Sequence, residues 1–224
     1  MFVPYRTVPF VSNQVYHVFN RSIARLPIFI EKNDYQRVLD LVNYYRFSKP
    51  PLRFSHYKRL SKEQKIEFEK LHMVNNNSVL NILAYCIMPN HFHFLLRPKK
   101  DNAISDFMRN IQNGYSKYFN TKTERTGSLF QFMFKAVRME TDQQLLHVSR
   151  YIHLNPVTSY MREVKDLDAY EWSSFKDYVF DTNSFIDKEM VLGGFKSRDD
   201  YKQFVFDQAE YQRELGRIKH LVLE

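Results

Sequence analysis

Apolar positions along the chain switch between periods of two and of 3.6, and the order of those switches predicts the fold class. Gln14–Asn20 alternates and is rich in β-formers, which predicts a first strand. Arg21–Pro27 reads as a basic loop. Tyr35, Val38, Leu39, Val42 and Tyr45 then recur at helical spacing and predict a helix over Asp34–Phe47. Val79–Met88 is an apolar run of strand length, Pro89-Asn90 is a turn, and His91–Arg97 is a strand joined tightly enough to pair antiparallel. Ile104, Phe107, Met108, Ile111, Tyr115 and Tyr118 form one stripe of a helix over Ala103–Asn120. Leu129–Met139 alternates as a further strand. Thr141 or Asp142 caps a helix that runs to Leu154, where Asn155-Pro156 should end it, because proline disfavours helical geometry in the residue before it.

Two segments stand outside this series. Ser48–Ser78 reads as a peripheral insertion that opens with Lys49-Pro50-Pro51 and closes with the turn Asn75-Asn76-Asn77. Within it, Ser61 and Gln64 form a capping box for a charged helix to about Met73. Beyond Val157 the chain is loop-rich, with Trp172-Ser173-Ser174-Phe175 as an apolar anchor for the tail. A last amphipathic helix is expected over Asp199–His220, using Tyr201, Phe204, Val205, Tyr211, Leu215 and Ile218. The order is that of an α+β fold, an antiparallel sheet with helices packed against it. The expected division is a main domain over 1–178, with its insertion at about 48–78, and a C-terminal helical extension over 179–224.

Composition narrows the partners. The chain has 224 residues, 44% of them apolar, with 20 Phe and 15 Tyr, so a globular fold with an aromatic core is expected. A net charge of +8, spread along the chain, suits a polyanionic partner, with nucleic acid ahead of an anionic membrane. Cys86 is the only cysteine and lies in an apolar strand, so it reads as an inert thiol in a reducing compartment. Neither a run of about eighteen apolar residues nor a signal-peptide pattern near Met1 is present, and the expected location is cytosolic.

The candidate chemistry begins with His91 and His93. Side chains alternate along a strand, so both imidazoles project to one side, roughly 6–7 Å apart at Cα, while Phe92, Phe94 and Leu96 point into the core. On the helix from Asp142, Leu145, Val148 and Ile152 form the apolar stripe, and Gln144, His147, Tyr151 and Asn155 form a polar stripe beside it. Tyr151 and Asn155 are four apart and share a side. If that side lies over the histidine strand, Asn155 can add an oxygen ligand to a cation held by His91 and His93, with Tyr151 in reach. Two imidazoles and an amide oxygen suit Mg²⁺ or Mn²⁺ on a phosphate, and the usual zinc motifs are missing. A phenol attacking phosphorus there would form a phosphotyrosine, release a 3′-hydroxyl and conserve the bond energy for rejoining.

Met88-Pro89-Asn90-His91-Phe92-His93 and Tyr151-Ile152-His153-Leu154-Asn155-Pro156-Val157 together resemble the single-tyrosine HUH transposases, and most of all the REP-associated tyrosine transposases. Tyr16–Arg21, Arg125–Gln131 and Trp172–Phe175 add to the resemblance, which spans about Gln14–Tyr178. It implies that His91 and His93 bind the metal, that Tyr151 is the nucleophile, and that Asn155 takes the third-ligand place, where some relatives have glutamine. It further implies a ferredoxin-like antiparallel sheet flanked by helices, single-stranded DNA with hairpins or palindromic repeats as substrate, and a nucleoid-associated protein of the bacterial cytoplasm. The resemblance assigns no role to the insertion at Ser48–Ser78 or to the tail after Tyr178, and both stay open.

Arg21, Arg25, Lys99, Lys100, Arg109, Lys117, Arg125, Lys135, Arg138 and Arg150 are candidate phosphate contacts. Tyr115 and Tyr118, the rival phenols, fall on an apolar stripe and read as core. Trp172 and Phe175 read as tail anchors, His17 and His153 as partners in local hydrogen bonds, and His147 and Gln144 as solvated. The alternative function is a catalytically silent binder of structured single-stranded DNA or RNA at repeats. Whether the chain acts as a monomer or a homodimer is left open.

Overall fold

The computed structural model describes residues 9–48, 50–74, 77–180, 182 and 184–214. In chain order its elements are β1 (Tyr16–Arg21), α1 (Lys32–Tyr45), α2 (Phe54–Tyr57), α3 (Lys62–His72), β2 (Leu80–Met88), β3 (His91–Pro98), α4 (Ala103–Lys122), β4 (Lys135–Arg138), α5 (Asp142–Thr158), α6 (Phe175–Val179), α7 (Glu189–Leu192) and α8 (Arg198–Phe206). The four strands form one antiparallel sheet in the order β2-β3-β1-β4. With α1 after β1 and α4 after β3, this is the ferredoxin-like α+β arrangement expected.

Both faces of the sheet are covered, which decides where the site can lie. On one side α1 and α4 pack together, and Phe107 of α4 meets Phe94 edge-on at 6.1 Å. Phe92, Phe94 and Leu96 are fully buried there, as the alternation predicts. On the other side α5 lies over β2 and β3. The central strand β3 is therefore buried on both faces, and His93 and Leu95 are as enclosed as the phenylalanines. The outer edge of β2 is blunted by the tail: Cys86 bridges Ser173, and Ile87 N–H donates to Trp172 O at 2.9 Å. Trp172 stacks on Tyr35 at 4.7 Å and Phe175 is fully buried, so the anchor packs as anticipated.

The insertion is closed at its base by a Phe47–Ser78 bridge and by Val79 N–H donating to Arg46 O at 2.8 Å. The Ser61 capping box is present, with Gln64 N–H donating to Ser61 Oγ at 3.2 Å and Ser61 N–H to Gln64 Oε1 at 2.9 Å. Phe54 and Phe68 carry the insertion onto Tyr44, at 5.2 and 6.2 Å.

Three expectations need correction. Asn155-Pro156 does not end α5, which continues to Thr158 with Pro156 inside it. Pro156 has no N–H for the Ile152 carbonyl, and Asn155 Nδ2 reaches that carbonyl at 3.4 Å while donating to Tyr151 O at 2.9 Å. The strand expected over Leu129–Met139 is only Lys135–Arg138. Leu129 and Phe130 instead turn into the core, where Phe130 makes an isolated bridge to Ser22. The last helix is broken at 207–208 and resumes to residue 214. Leu215, Ile218 and the rest of that helix to His220 lie outside the described residues, as do Lys49 and Asn75-Asn76. No helix among the described residues is long and apolar enough to cross a membrane.

α5 is wider in its burial than its apolar stripe: Val148 is half-buried, whereas Ser149, Arg150 and His153 are buried. The cover is α8 and the segment around α6. His153 bridges the hydroxyls of Tyr201, at 2.7 Å, and Ser174, at 2.9 Å. Enclosure lowers its pKa from 6.5 to about 3. A depressed histidine pKa means the unfolded chain takes up the proton first, so stability is full above pH 6.5 and falls as pH drops toward 3. Between pH 6.5 and 4.5 this group alone should cost about 2 kcal/mol of unfolding free energy. Urea denaturation of the wild type and of His153→Gln at those two pH values checks it. The variant should show a distinctly shallower loss, and an identical slope would remove His153 as the cause.

Candidate active site

The β1–β3 register sets Phe19 opposite His93 and Arg21 opposite His91. Cross-strand partners share a face, so His17, Phe19, Arg21, His91 and His93 all project toward the α5 side. The imidazoles of His91 and His93 have centroids 5.1 Å apart and stand nearly perpendicular, at 87°. α5 brings Tyr151 over them: its ring meets His93 edge-on at 5.4 Å and His17 at 5.9 Å. One turn on, the Asn155 nitrogen is committed to its own helix, which leaves the amide oxygen to face His91 within hydrogen-bonding reach. Tyr151, Asn155, His91 and His93 are thus brought together.

His17 is the residue that sequence reasoning under-read. Its Nε2 lies 2.9 Å from His93 Nδ1, and the two rings stack at 5.1 Å. Its hydrogen bond is indeed local in space, but the partner is a candidate ligand. Period-two alternation in β1 puts His17 on the same face as Phe19, yet only the strand register links that face to His93.

Burial governs the electrostatics. It lowers His91 to about 4, helped by the Arg21 charge and opposed by the Asn155 amide. It lowers His17 to about 4, and it holds His93 well below 6.5, with His91, His17 and Arg21 adding to the effect. All three rings are therefore neutral at pH 7 and able to offer lone pairs. His91 Nδ1 lies 2.6 Å from Asn90 Oδ1, an acceptor, so the ring proton sits there and Nε2 stays open. For Tyr151 burial raises the phenol pKa, the Arg21 cation lowers it, and a minor Cys86 effect raises it. Tyr151 is 37% exposed and His91 is half-buried, while Asn155 and His93 are about 5% exposed or less, so solvent reaches the cluster from the Tyr151 and His91 side.

Among the described residues no group of three or more His, Cys, Asp or Glu is arranged to hold a metal ion. The candidate donors are instead two neutral imidazoles and an amide oxygen. Such a set fits a hard or borderline divalent cation that draws its negative charge from a phosphate ligand. Cys86, opposite His93 on β2, is no donor, because full burial pushes its thiol pKa up and keeps it protonated.

The basic candidates separate. Arg21 adjoins the cluster, and Arg25, Arg125, Lys135 and Arg138 are exposed on the flanking loops and on β4. Arg109 and Lys117 are exposed on α4, the helix on the opposite face, with Arg109 paired to Asp106 at 2.7 Å. Lys99 and Lys100 lie just past the far end of β3. Arg150 is a correction: it is buried, its guanidinium 4.2 Å over the Phe204 ring, donating to Phe204 O at 3.3 Å and held to His147 at 2.8 Å. That geometry removes it from phosphate contact and gives His147 a structural partner. Gln144 is tied to Glu140 N–H at 2.8 Å. Tyr115 and Tyr118 are spent in the core, donating to Ile28 O at 2.5 Å and Asp34 Oδ1 at 2.9 Å.

No curated protein matches the chain. Among solved structures, one described as a REP-associated tyrosine transposase bound to a REP hairpin shares the fold, with a TM-score of 0.52 and 17% identity over 80% of this chain and 86% of that one. The family model described as "Transposase IS200 like" matches residues 55–155, a stretch that holds both histidines and runs through Tyr151 to end on Asn155. Over residues 55–155 the chain is thus similar to the IS200-like transposases, and its fold is that of the REP-associated tyrosine transposase structure.

Proposed function

We propose that this protein is a transposase that cleaves and rejoins single-stranded DNA beside hairpins through a 5′-phosphotyrosine at Tyr151. The observation that carries the reading is the edge-on seat of the Tyr151 ring on His93, in a cluster with His91 and Asn155. His91 Nε2, His93 Nε2 and Asn155 Oδ1 are the atoms that would hold a Mg²⁺ or Mn²⁺ ion. Bound there, the ion supplies Lewis acidity to a non-bridging phosphate oxygen of the scissile bond.

The chain's own residues do the rest. Tyr151 Oη forms a bond to phosphorus as the bond to the 3′-oxygen breaks; the phenol gives up its proton and the 3′-oxygen gains one. Arg21 favours the phenolate and draws the phosphate toward the phenol. His17 fixes the His93 ring, so that with Nδ1–H donated to His17 Nε2 the His93 Nε2 lone pair faces the cluster. Because the phenol and the imidazoles of one chain meet, attack within one chain is favoured over attack between two. The hairpin substrate is suggested by the related structure, which is bound to a REP hairpin. One feature favours the second reading, a silent binder of structured DNA or RNA: burial raises the Tyr151 pKa, and among the described residues no base touches its hydroxyl.

A labelled hairpin oligonucleotide with a single-stranded flank, incubated with Mn²⁺ and run on a denaturing gel, separates the readings. Wild type should give a covalent protein–DNA band, and Tyr151→Phe should lose it while keeping hairpin binding. An undiminished band from the variant would contradict the assignment of the nucleophile. His17→Phe should weaken the apparent Mn²⁺ affinity by roughly 10–100-fold, with adduct recovered at higher Mn²⁺. His91→Ala should not recover. If His17→Phe titrates with Mn²⁺ like wild type, the orienting role is wrong.

A further inference from the structure

At the end of the sheet away from the histidines, between the base of the insertion and the segment 184–187, lies a cavity of about 670 Å³. Two of its walls are cations. Arg46 gives Nε–H to Asn43 Oδ1 at 2.9 Å and rests 4.2 Å over the Phe47 ring, with Phe185 at 5.8 Å. Among the described residues its terminal nitrogens donate to no protein group and no carboxylate pairs with it. Lys99 Nζ donates to Ser78 Oγ at 2.7 Å and has no carboxylate partner among the described residues. Among the described residues that line the cavity the one acid, Asp187, is engaged by the Asn81 amide. A half-buried guanidinium fixed on aromatic rings, with its fork open and a second cation beside it, is suited to grip a tetrahedral anion from two sides. Burial lowers Arg46 to about 10, a cost that a bound anion would offset.

We infer that this pocket binds a phosphate group through Arg46 and Lys99, borne either by the backbone of a bound hairpin stem or by a free nucleotide. The first source rests on the function proposed above. Along β3, at about 3.3 Å per residue, Lys99 lies roughly 25 Å from His91. That span matches a stem of about seven base pairs whose foot reaches Tyr151.

The test uses the full chain and the variants Lys99→Gln, Arg46→Gln and Arg46→Lys, with melting curves to confirm folding. Lys99 is exposed, so its variant keeps the test open if Arg46→Gln fails to fold. Two probes are titrated: the hairpin oligonucleotide over a range of salt, and adenosine monophosphate. For a stem phosphate, each Gln variant should weaken hairpin binding roughly tenfold and reduce the salt slope by about one, with Arg46→Lys keeping the slope. For a free nucleotide, wild type should bind the monophosphate, the Gln variants should lose it, and hairpin binding should be unchanged. Unchanged hairpin affinity and slope, with no binding of the monophosphate by wild type, overturns the pocket. Covalent adduct from wild type is scored in parallel: its absence counts against the transposase reading, while the monophosphate arm still judges the pocket.

Discussion

The site depends on how α5 passes Pro156. An interior proline withholds one N–H from the helix, and a bare break there would let the last turn splay away from the sheet. Asn155 prevents this by turning its amide nitrogen back onto the carbonyls of Tyr151 and Ile152. One side chain then does two things. It keeps the helix intact through Thr158, and it leaves its oxygen pointing at His91. It also ties the Tyr151 backbone to the residue that would complete the proposed donor set, so the spacing of the two side chains is fixed within a single turn. A hydrogen bond of this kind is worth about 1 kcal/mol, but the geometry it selects is what the proposed chemistry needs.

Burial then sets the protonation states, and it works for the histidines and against the tyrosine. Closing α5 over β3 removes water from His93 and His91, and desolvation disfavours their cationic forms. Neutral imidazoles are what a cation requires. The same closure disfavours a phenolate, and the structure answers with Arg21, placed opposite His91 by the strand register. Arg21 acts on all three groups with one sign: it opposes imidazolium and favours phenolate. A cation at this position pushes each group toward the state the proposed reaction uses.

Most of this was legible in the sequence. Period-two and helical spacings placed β2, β3, α1 and α4 within a few residues, because long apolar patterns with capped or turned ends have few other solutions. His91, His93, Tyr151 and Asn155 were legible because each pair sits on one element, where spacing alone fixes the shared face. What failed had its cause in three dimensions. The break expected at Pro156 ignored a side chain able to stand in for the missing donor. Arg150 looked like a surface cation because Phe204, which covers it, is 54 residues away. His17 looked ordinary because its link to His93 crosses 76 residues of chain and depends on strand register.

Arg150 and His153 extend the account from the site to its support. Site histidines and tail contacts lie on different sides of α5: Tyr151 and Asn155 meet the sheet cluster, while Ser149, Arg150 and His153 meet Tyr201, Phe204 and Ser174. A helix held only by its sheet-facing side could roll about its axis and carry Tyr151 off His93. Polar contacts on the second side resist that roll with directional bonds, where apolar packing alone would permit a small rotation. The segment after Tyr178, which matches no family pattern in the sequence, thereby constrains the angle at which the phenol faces the imidazoles. Its place behind α5 makes its described residues part of the support of the candidate site.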